Sequence, residues 1–336
     1  MKKKVLALIS VIIGLLLLIG ALSSVNLGKI IGALSEFKFY KYFILLILFL
    51  ITFSLTVMRW KVILSSLGHK ISFLSLFIAK LVSYPISYFT PFARLGGEPF
   101  RAYALKREDN IKLSIGVASV LIDKIIEITC GSLLILYGLV YILIKYTLSK
   151  NLIIALSIPF LLFVVFLYVF YFKTIRNEGF FTAILKFFKV YKIKELSKVK
   201  GGIERTEKNL SNFFIKKRKS LMLASLVSIL DIIFYLILYK TILNFIGVDI
   251  GISRLFILFG LIMISQMIPI PASLGAYEGM GVLSFLIFGL SVENGLLFIV
   301  LLRIMEMTLA IVGLLFLPFY GIRLLKNNAE QEKLKR

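Results

Sequence analysis

Pro91-Phe-Ala-Arg94-Leu-Gly96-Gly97-Glu98 is the stretch that decides how this chain folds. It ends the apolar block Ile71–Thr90 and runs directly into a second short segment, so the chain turns around at a Pro/Gly elbow. Proline removes a backbone donor and the glycine pair frees the backbone, which together stop a continuous helix. The block reads as a re-entrant hairpin. Non-helical backbone at membrane depth persists only where protein or a water-filled cavity satisfies its polar groups, so such elbows line sites.

The elbow occurs twice. In the second half of the chain Pro271-Ala-Ser-Leu-Gly275-Ala-Tyr-Glu278 repeats the spacing from proline to glutamate, and it follows a matching apolar block, Leu255–Ile270, that carries Pro269. Charged residues recur beyond each elbow: Asp123 and Glu127 after Glu98, Arg303 and Glu306 after Glu278. Thr90 suits an N-cap before Pro91, and Pro271 with Ser273 suits a second helix start, which would aim the positive ends of two half-helices at an anion.

Composition sets the solvent. The chain has 336 residues, 60% of them hydrophobic, with only 17 Asp and Glu against 40 Lys and Arg, a net charge of +23. The mean hydropathy of +0.98 excludes an ordinary soluble domain. One cysteine, Cys130, and one histidine, His69, exclude an intramolecular disulfide and a Cys/His metal site, and no metal or cofactor is expected. The basic excess sits in loops and no nucleic-acid motif accompanies it, so nucleic acid is not the expected partner.

The apolar blocks yield an all-α, polytopic membrane protein with about six transmembrane helices and two re-entrant hairpins arranged as an inverted repeat. The alternative is eight full spans. The first block, Val5–Leu22, follows Lys2-Lys3-Lys4, and its uninterrupted apolar length favours a retained span over a cleaved signal. Segments 1–4, 59–70, 101–112, 173–220 and 322–336 together hold 29 of the 40 basic residues. The positive-inside bias then places both termini in the cytoplasm of a multi-pass protein of the cell membrane, and eight spans would break that bias. The expected organisation is one transmembrane domain, 1–322, with half one at about 41–144, half two at about 221–320, a basic cytoplasmic loop 173–220, and a cytoplasmic tail 323–336. That loop carries 14 basic and four acidic residues, as a solvated connection or as an interfacial segment that gathers anionic lipid.

Charges inside apolar blocks are the candidate site. Asp123 and Glu127 are four apart and Arg303 and Glu306 three apart, so each pair shares a helix face near mid-membrane. An unpaired charge there costs ~2.5–3.5 kcal/mol on insertion scales, so these groups must face inward. Two readings remain open: structural ion pairs such as Arg94 with Glu98 or Arg303 with Glu306, or contact with a substrate. Asp231 and Lys240, with Tyr235 and Tyr239 between them, line the same cavity or make a helix-to-helix hydrogen bond. Lys80 reads as a snorkelling lysine, and Trp60 and His69 as interfacial residues.

Two motifs, Pro91-x-x-Arg94-x-Gly96-x-Glu98-x-x-Arg101 and Pro269-Ile-Pro271-Ala-Ser-Leu-Gly275-Ala-Tyr-Glu278, resemble the flippase-like integral membrane proteins related to the transmembrane region of lysylphosphatidylglycerol synthases. Many members have a glycine pair where this chain has Ala272 and Ser273. The resemblance implies translocation of a lipid with a polar head, with a phospholipid or polyprenyl-phosphate lipid as cargo. With only a short tail after Tyr320, an appended aminoacyl-transferase domain is not expected. Arg94, Arg101 and Arg303 would hold phosphate, and Glu98, Asp123, Glu127, Glu278 and Glu306 would orient those arginines, bind a cationic head or take up protons. Pro91, Gly96, Gly97, Pro269, Pro271 and Gly275 would shape the two tips. No catalytic residue is expected, and with no Walker motif ATP is not the driving force. The rival readings are a membrane-embedded lipid-modifying transferase with a carboxylate base, and a non-transporting scaffold.

Overall fold

A computed structural model describes residues 27–90, 96–108, 110–145, 150–187 and 200–333. The first expected span, together with Pro91 and Arg94, lies outside the described residues. Among the described residues the regular structure is helical: α1 Leu27–Ser35, α2 Phe39–Ser66, α3 Phe73–Phe89, α4 Glu98–Glu108, α5 Leu113–Lys145, α6 Lys150–Ile175, α7 Phe180–Phe187, α8 Lys200–Lys216, α9 Arg218–Phe245, α10 Ile252–Met267, a 3-10 turn Pro271–Ser273, α11 Ala276–Ile287 and α12 Val292–Lys333. Four of these, α2, α5, α9 and α12 as far as Pro318, are long and apolar enough to cross a membrane. Their outer faces expose large apolar side chains such as Leu133, Leu136, Met222, Leu226 and Leu315, as helices bathed in hydrocarbon do. The chain is an all-α, polytopic membrane protein.

Between the long helices lie pairs of short ones. At ~1.5 Å per residue α3 and α4 reach only ~26 and ~17 Å, and α10 and α11 ~24 and ~18 Å, all below a ~30 Å hydrocarbon core. In the first pair the chain folds back on itself. The Gly97 N–H donates to Ser87 Oγ at 3.1 Å, and a side chain at Gly97 would collide with the Ser83 carbonyl. Thr90 is the C-cap of α3 rather than the N-cap of the next helix, with extended backbone and its hydroxyl donating to the Ile86 carbonyl oxygen at 2.7 Å. A residue before proline is driven out of the helical region, so α3 ends there.

The order long helix, broken pair, long helix occurs twice with a constant displacement. Phe39 and Arg218 start the first long helix of each half, Phe73 and Ile252 the broken pair, and Leu113 and Val292 the second long helix, and the interval is the same in all three cases. The same backbone crossing also recurs. A Cβ at Gly116 of α5 would lie 2.9 Å from the Ala102 carbonyl oxygen of α4, and one at Gly295 of α12 would lie 3.0 Å from the Gly281 carbonyl oxygen of α11. The equivalent helices α2 and α9 pack antiparallel, with Arg59 beside Ser228 and Lys41 reaching the Phe245 carbonyl. Antiparallel equivalents are what an inverted repeat requires. The halves exchange partners, since α5 packs on α10 and α12 on α3. The basic segment after α6 contains α7 and α8, and α8 packs on α5 and α6. The final helix continues to Lys333, past the Tyr320 boundary expected from the apolar pattern.

Candidate functional site

In the first half the re-entrant α4 brings Glu98 and Arg101 against α5, where Asp123 and Glu127 stand one helical turn apart. Asp123 is the hub. Its Oδ1 accepts from Arg59 Nε at 2.7 Å, and its Oδ2 accepts from Arg101 Nη2 at 2.9 Å with Lys80 Nζ 3.6 Å away. Arg59 extends to Glu127 at 2.8 Å, Ser228 Oγ at 3.0 Å and Asp231 at 3.7 Å, so one guanidinium from α2 ties α5 to α9. Arg101 also donates to Glu98 at 2.7 Å and lies 4.0 Å above the Trp60 ring, while Lys124 pairs with Glu127 at 2.7 Å. Four cations and four carboxylates thus form one neutral network, the arrangement in which deep charge is tolerated.

A cavity of about 190 Å³ opens on this network. Lys80, Glu98, Arg101, Lys124, Glu127 and Asp231 give it polar lining, and Tyr84, Tyr88, Tyr235, Tyr239 and Phe259 give it aromatic walls. Two buried atoms at this wall, Arg101 Nε and Asp231 Oδ1, have no hydrogen-bond partner among the described residues. A buried donor and a buried acceptor left unmatched are costly. At about 30 Å³ per water the space holds about six waters, or a lipid headgroup of comparable size.

The second half builds a different object. Arg303 of α12 pairs with Glu278, donates to Tyr88 Oη at 3.0 Å, and reaches the Ala272 and Ser273 carbonyl oxygens at 3.1 and 3.4 Å. Glu278 in turn accepts from the Gly275 N–H at 2.8 Å, so the positive end of α11 is already occupied by the chain's own carboxylate and not by an outside anion. The carboxylate that Arg303 Nε meets is Glu278, while Glu306 receives the Tyr277 hydroxyl at 3.3 Å. Ala272 and Ser273, the two positions that replace a glycine pair, both take φ of 51°, in the left-handed region. Non-glycine residues are strained there, and Arg303 clamps the carbonyls of both.

The structure therefore brings Glu98, Arg101, Asp123 and Glu127 together and leaves Glu278, Arg303 and Glu306 in a separate cluster. Tyr88, which lines the cavity and touches Arg303, joins the two. Gly96 and Gly97 pack the first tip onto α3, with Gly96 against Thr90, while Pro271 and Gly275 bracket the second and Pro269 precedes it.

A model of the lysylphosphatidylglycerol synthase transmembrane region matches residues 6–315. The chain belongs to that family. Among relatives, a UPF0104 membrane protein of Methanothermobacter thermautotrophicus is 23% identical over 322 residues, covering 93% of this chain and 95% of its own. A UPF0104 membrane protein of Methanocaldococcus jannaschii is 29% identical over 119 residues, 35% of each chain. No solved structure matches. The charged elbow is attached here to groups that local sequence pattern leaves outside the site. Arg59 falls at the apparent end of an apolar block, where it counts as a loop residue, yet it is 0% exposed. Its neighbour Trp60 is buried against Ser119 and Arg101 rather than interfacial. Lys80 pairs with Asp123 instead of snorkelling, and Asp231 joins the cavity while Lys240 turns away to Asp249 and the Ile250 carbonyl.

Proposed function

We propose that this protein is a lipid translocase that lets a polar or phosphate-bearing headgroup cross the cell membrane through the charged cavity while the acyl chains stay in the surrounding lipid. In this reading a single membrane domain, 1–322, works with both termini in the cytoplasm. Arg101, Lys80 and Lys124 receive phosphate, and Glu98, Glu127 and Asp231 hold those cations in place or meet a cationic group on the head. Asp123 orients Arg59 and Arg101 from behind. The cargo is a phospholipid or a polyprenyl-phosphate lipid, and passage is downhill or coupled to an ion gradient.

One observation carries the reading: a cavity between two inverted halves is lined by paired charge, Lys80, Glu98, Arg101, Lys124 and Glu127 from the first half and Asp231 from the second. The test is reconstitution into liposomes with headgroup-labelled lipid, reading accessibility to a membrane-impermeant quencher. Glu98→Gln and Arg101→Gln should each slow translocation about tenfold, the effect of losing one charge-assisted hydrogen bond worth ~1.5 kcal/mol. Wild-type rates in both folded variants would reject the site. A change in lipid composition on incubation, with sidedness unchanged, would favour a lipid-modifying enzyme.

A further inference from the structure

Away from the central cavity, α5, α7 and α8 enclose a second one of about 740 Å³. Its floor is apolar. Leu113, Val117 and Leu121 stand at four-residue steps on one face of α5, and Phe181 and Ile184 of α7 and Ile203 of α8 complete it. From Leu113 to Leu121 that stripe is ~12 Å long. The rim is cationic: Lys106, Lys112 and Arg205 line it, and no acidic residue among those described does. Arg205 Nε donates to the Gly201 carbonyl oxygen at 2.8 Å, leaving the terminal nitrogens for an anion. Both α5 and α8 begin without an acidic residue in the first turn, so their positive ends add to the field of the rim. The walls are tied together, because the Thr206 hydroxyl donates to the Gly202 carbonyl at 2.9 Å and approaches the Ser114 carbonyl at 3.4 Å.

We infer that this groove is a binding site for an anionic phospholipid, its phosphate at Lys106, Lys112 and Arg205 and one acyl chain along the Leu113–Val117–Leu121 stripe. Charge complementarity argues for that occupant. The rim lies where α5 begins its long apolar run, so phosphate and chain meet their partners at the depth where a leaflet places them. A zwitterionic lipid brings its own cation beside the phosphate and so neutralises the rim less well, and an apolar helix from a second copy leaves all three cations unmatched. The inference is independent of the central cavity, with which the groove shares no lining residue among those described.

The full chain in nanodiscs containing phosphatidylglycerol or phosphatidylcholine, each with a photoactivatable acyl chain, tests this by mapping labelled peptides. Phosphatidylglycerol should label the peptides containing Val117 and Phe181 at least about fivefold more than phosphatidylcholine, the preference one cation near a membrane surface confers. Lys106→Gln, Lys112→Gln and Arg205→Gln combined should erase that preference. Val117→Trp, which fills the groove and keeps every charge, should lower labelling by both lipids and serves alone if the triple variant does not fold. Equal labelling by the two lipids overturns the proposal. So does a preference that survives neutralising the rim, a label that survives Val117→Trp, a cross-link to a second copy in place of lipid, or displacement of the label by polyprenyl phosphate at a concentration where added phosphatidylglycerol displaces nothing.

Discussion

At Asp123 the first half carries a carboxylate that holds two arginines, and at the same distance beyond the elbow glutamate the second half carries Arg303, which holds a glutamate and two backbone carbonyls. The scaffold is repeated and the charge is reversed. Around Asp123 the partners come from α2, α3 and α4 and border a cavity, so the network binds helices together and also presents polar groups to that space. Around Arg303 the partners are the elbow itself, Glu278 and the Ala272 and Ser273 carbonyls, so that guanidinium is consumed in holding a strained turn. An inverted repeat can thus keep its geometry while its two charged clusters diverge, one bordering the cavity and the other holding an elbow.

The largest effect should come from the hub. Asp123→Ala strands two buried guanidinium groups and should lower stability by ~3–5 kcal/mol. Unfolding by denaturing detergent, followed by loss of helical signal, measures it. Arg303→Ala should lower stability less, ~2 kcal/mol, because Glu278 keeps the Gly275 N–H as a partner. Equal losses would break the distinction between network and clamp.

Next in size is a difference in translocation between two glutamates that sequence spacing treats as alike. Glu127 has a side chain 33% exposed on the cavity, whereas Glu306 is buried against Tyr277. Glu127→Gln should slow headgroup passage about tenfold by weakening its hold on Lys124 and Arg59, and Glu306→Gln should leave the rate within about twofold. The liposome assay reads both, and comparable losses would return the second half to the site.

How far these roles were legible depends on range. The helical membrane class, the elbows and the inward-facing Glu98, Asp123 and Glu127 follow from local features: apolar block length, Pro and Gly, and the price of a charge in hydrocarbon. Arg59 was not legible, because nothing local separates an arginine that ends a span from one that leaves it. Its partner Ser228 is distant in the chain, and only the packing of α2 on α9 shows that it points inward. The choice of Glu278 as the partner of Arg303 lies beyond the sequence for a related reason. Helix periodicity puts Glu306 on its face, but the elbow delivers Glu278 from another element, along with two carbonyls that no side-chain pattern announces.

The smallest effect tests the clamp on its own ground. At Ala272 and Ser273 a left-handed residue with a Cβ costs ~1–2 kcal/mol relative to the right-handed form, a cost glycine does not carry. Against this, glycine loses more backbone freedom on folding, worth ~0.5–1 kcal/mol. Ala272→Gly and Ser273→Gly should therefore each raise stability by ~0.5 kcal/mol, with the double variant departing from additivity because the two are adjacent and share Arg303. In an Arg303→Ala background the gain should shrink, since the unclamped turn can relax and shed the strain that glycine would otherwise remove. A double-mutant cycle on thermal midpoints measures the coupling. Loss of stability in either glycine variant would mean that contacts made by the Ala272 or Ser273 side chain, and not the clamped carbonyls, keep the second elbow in shape.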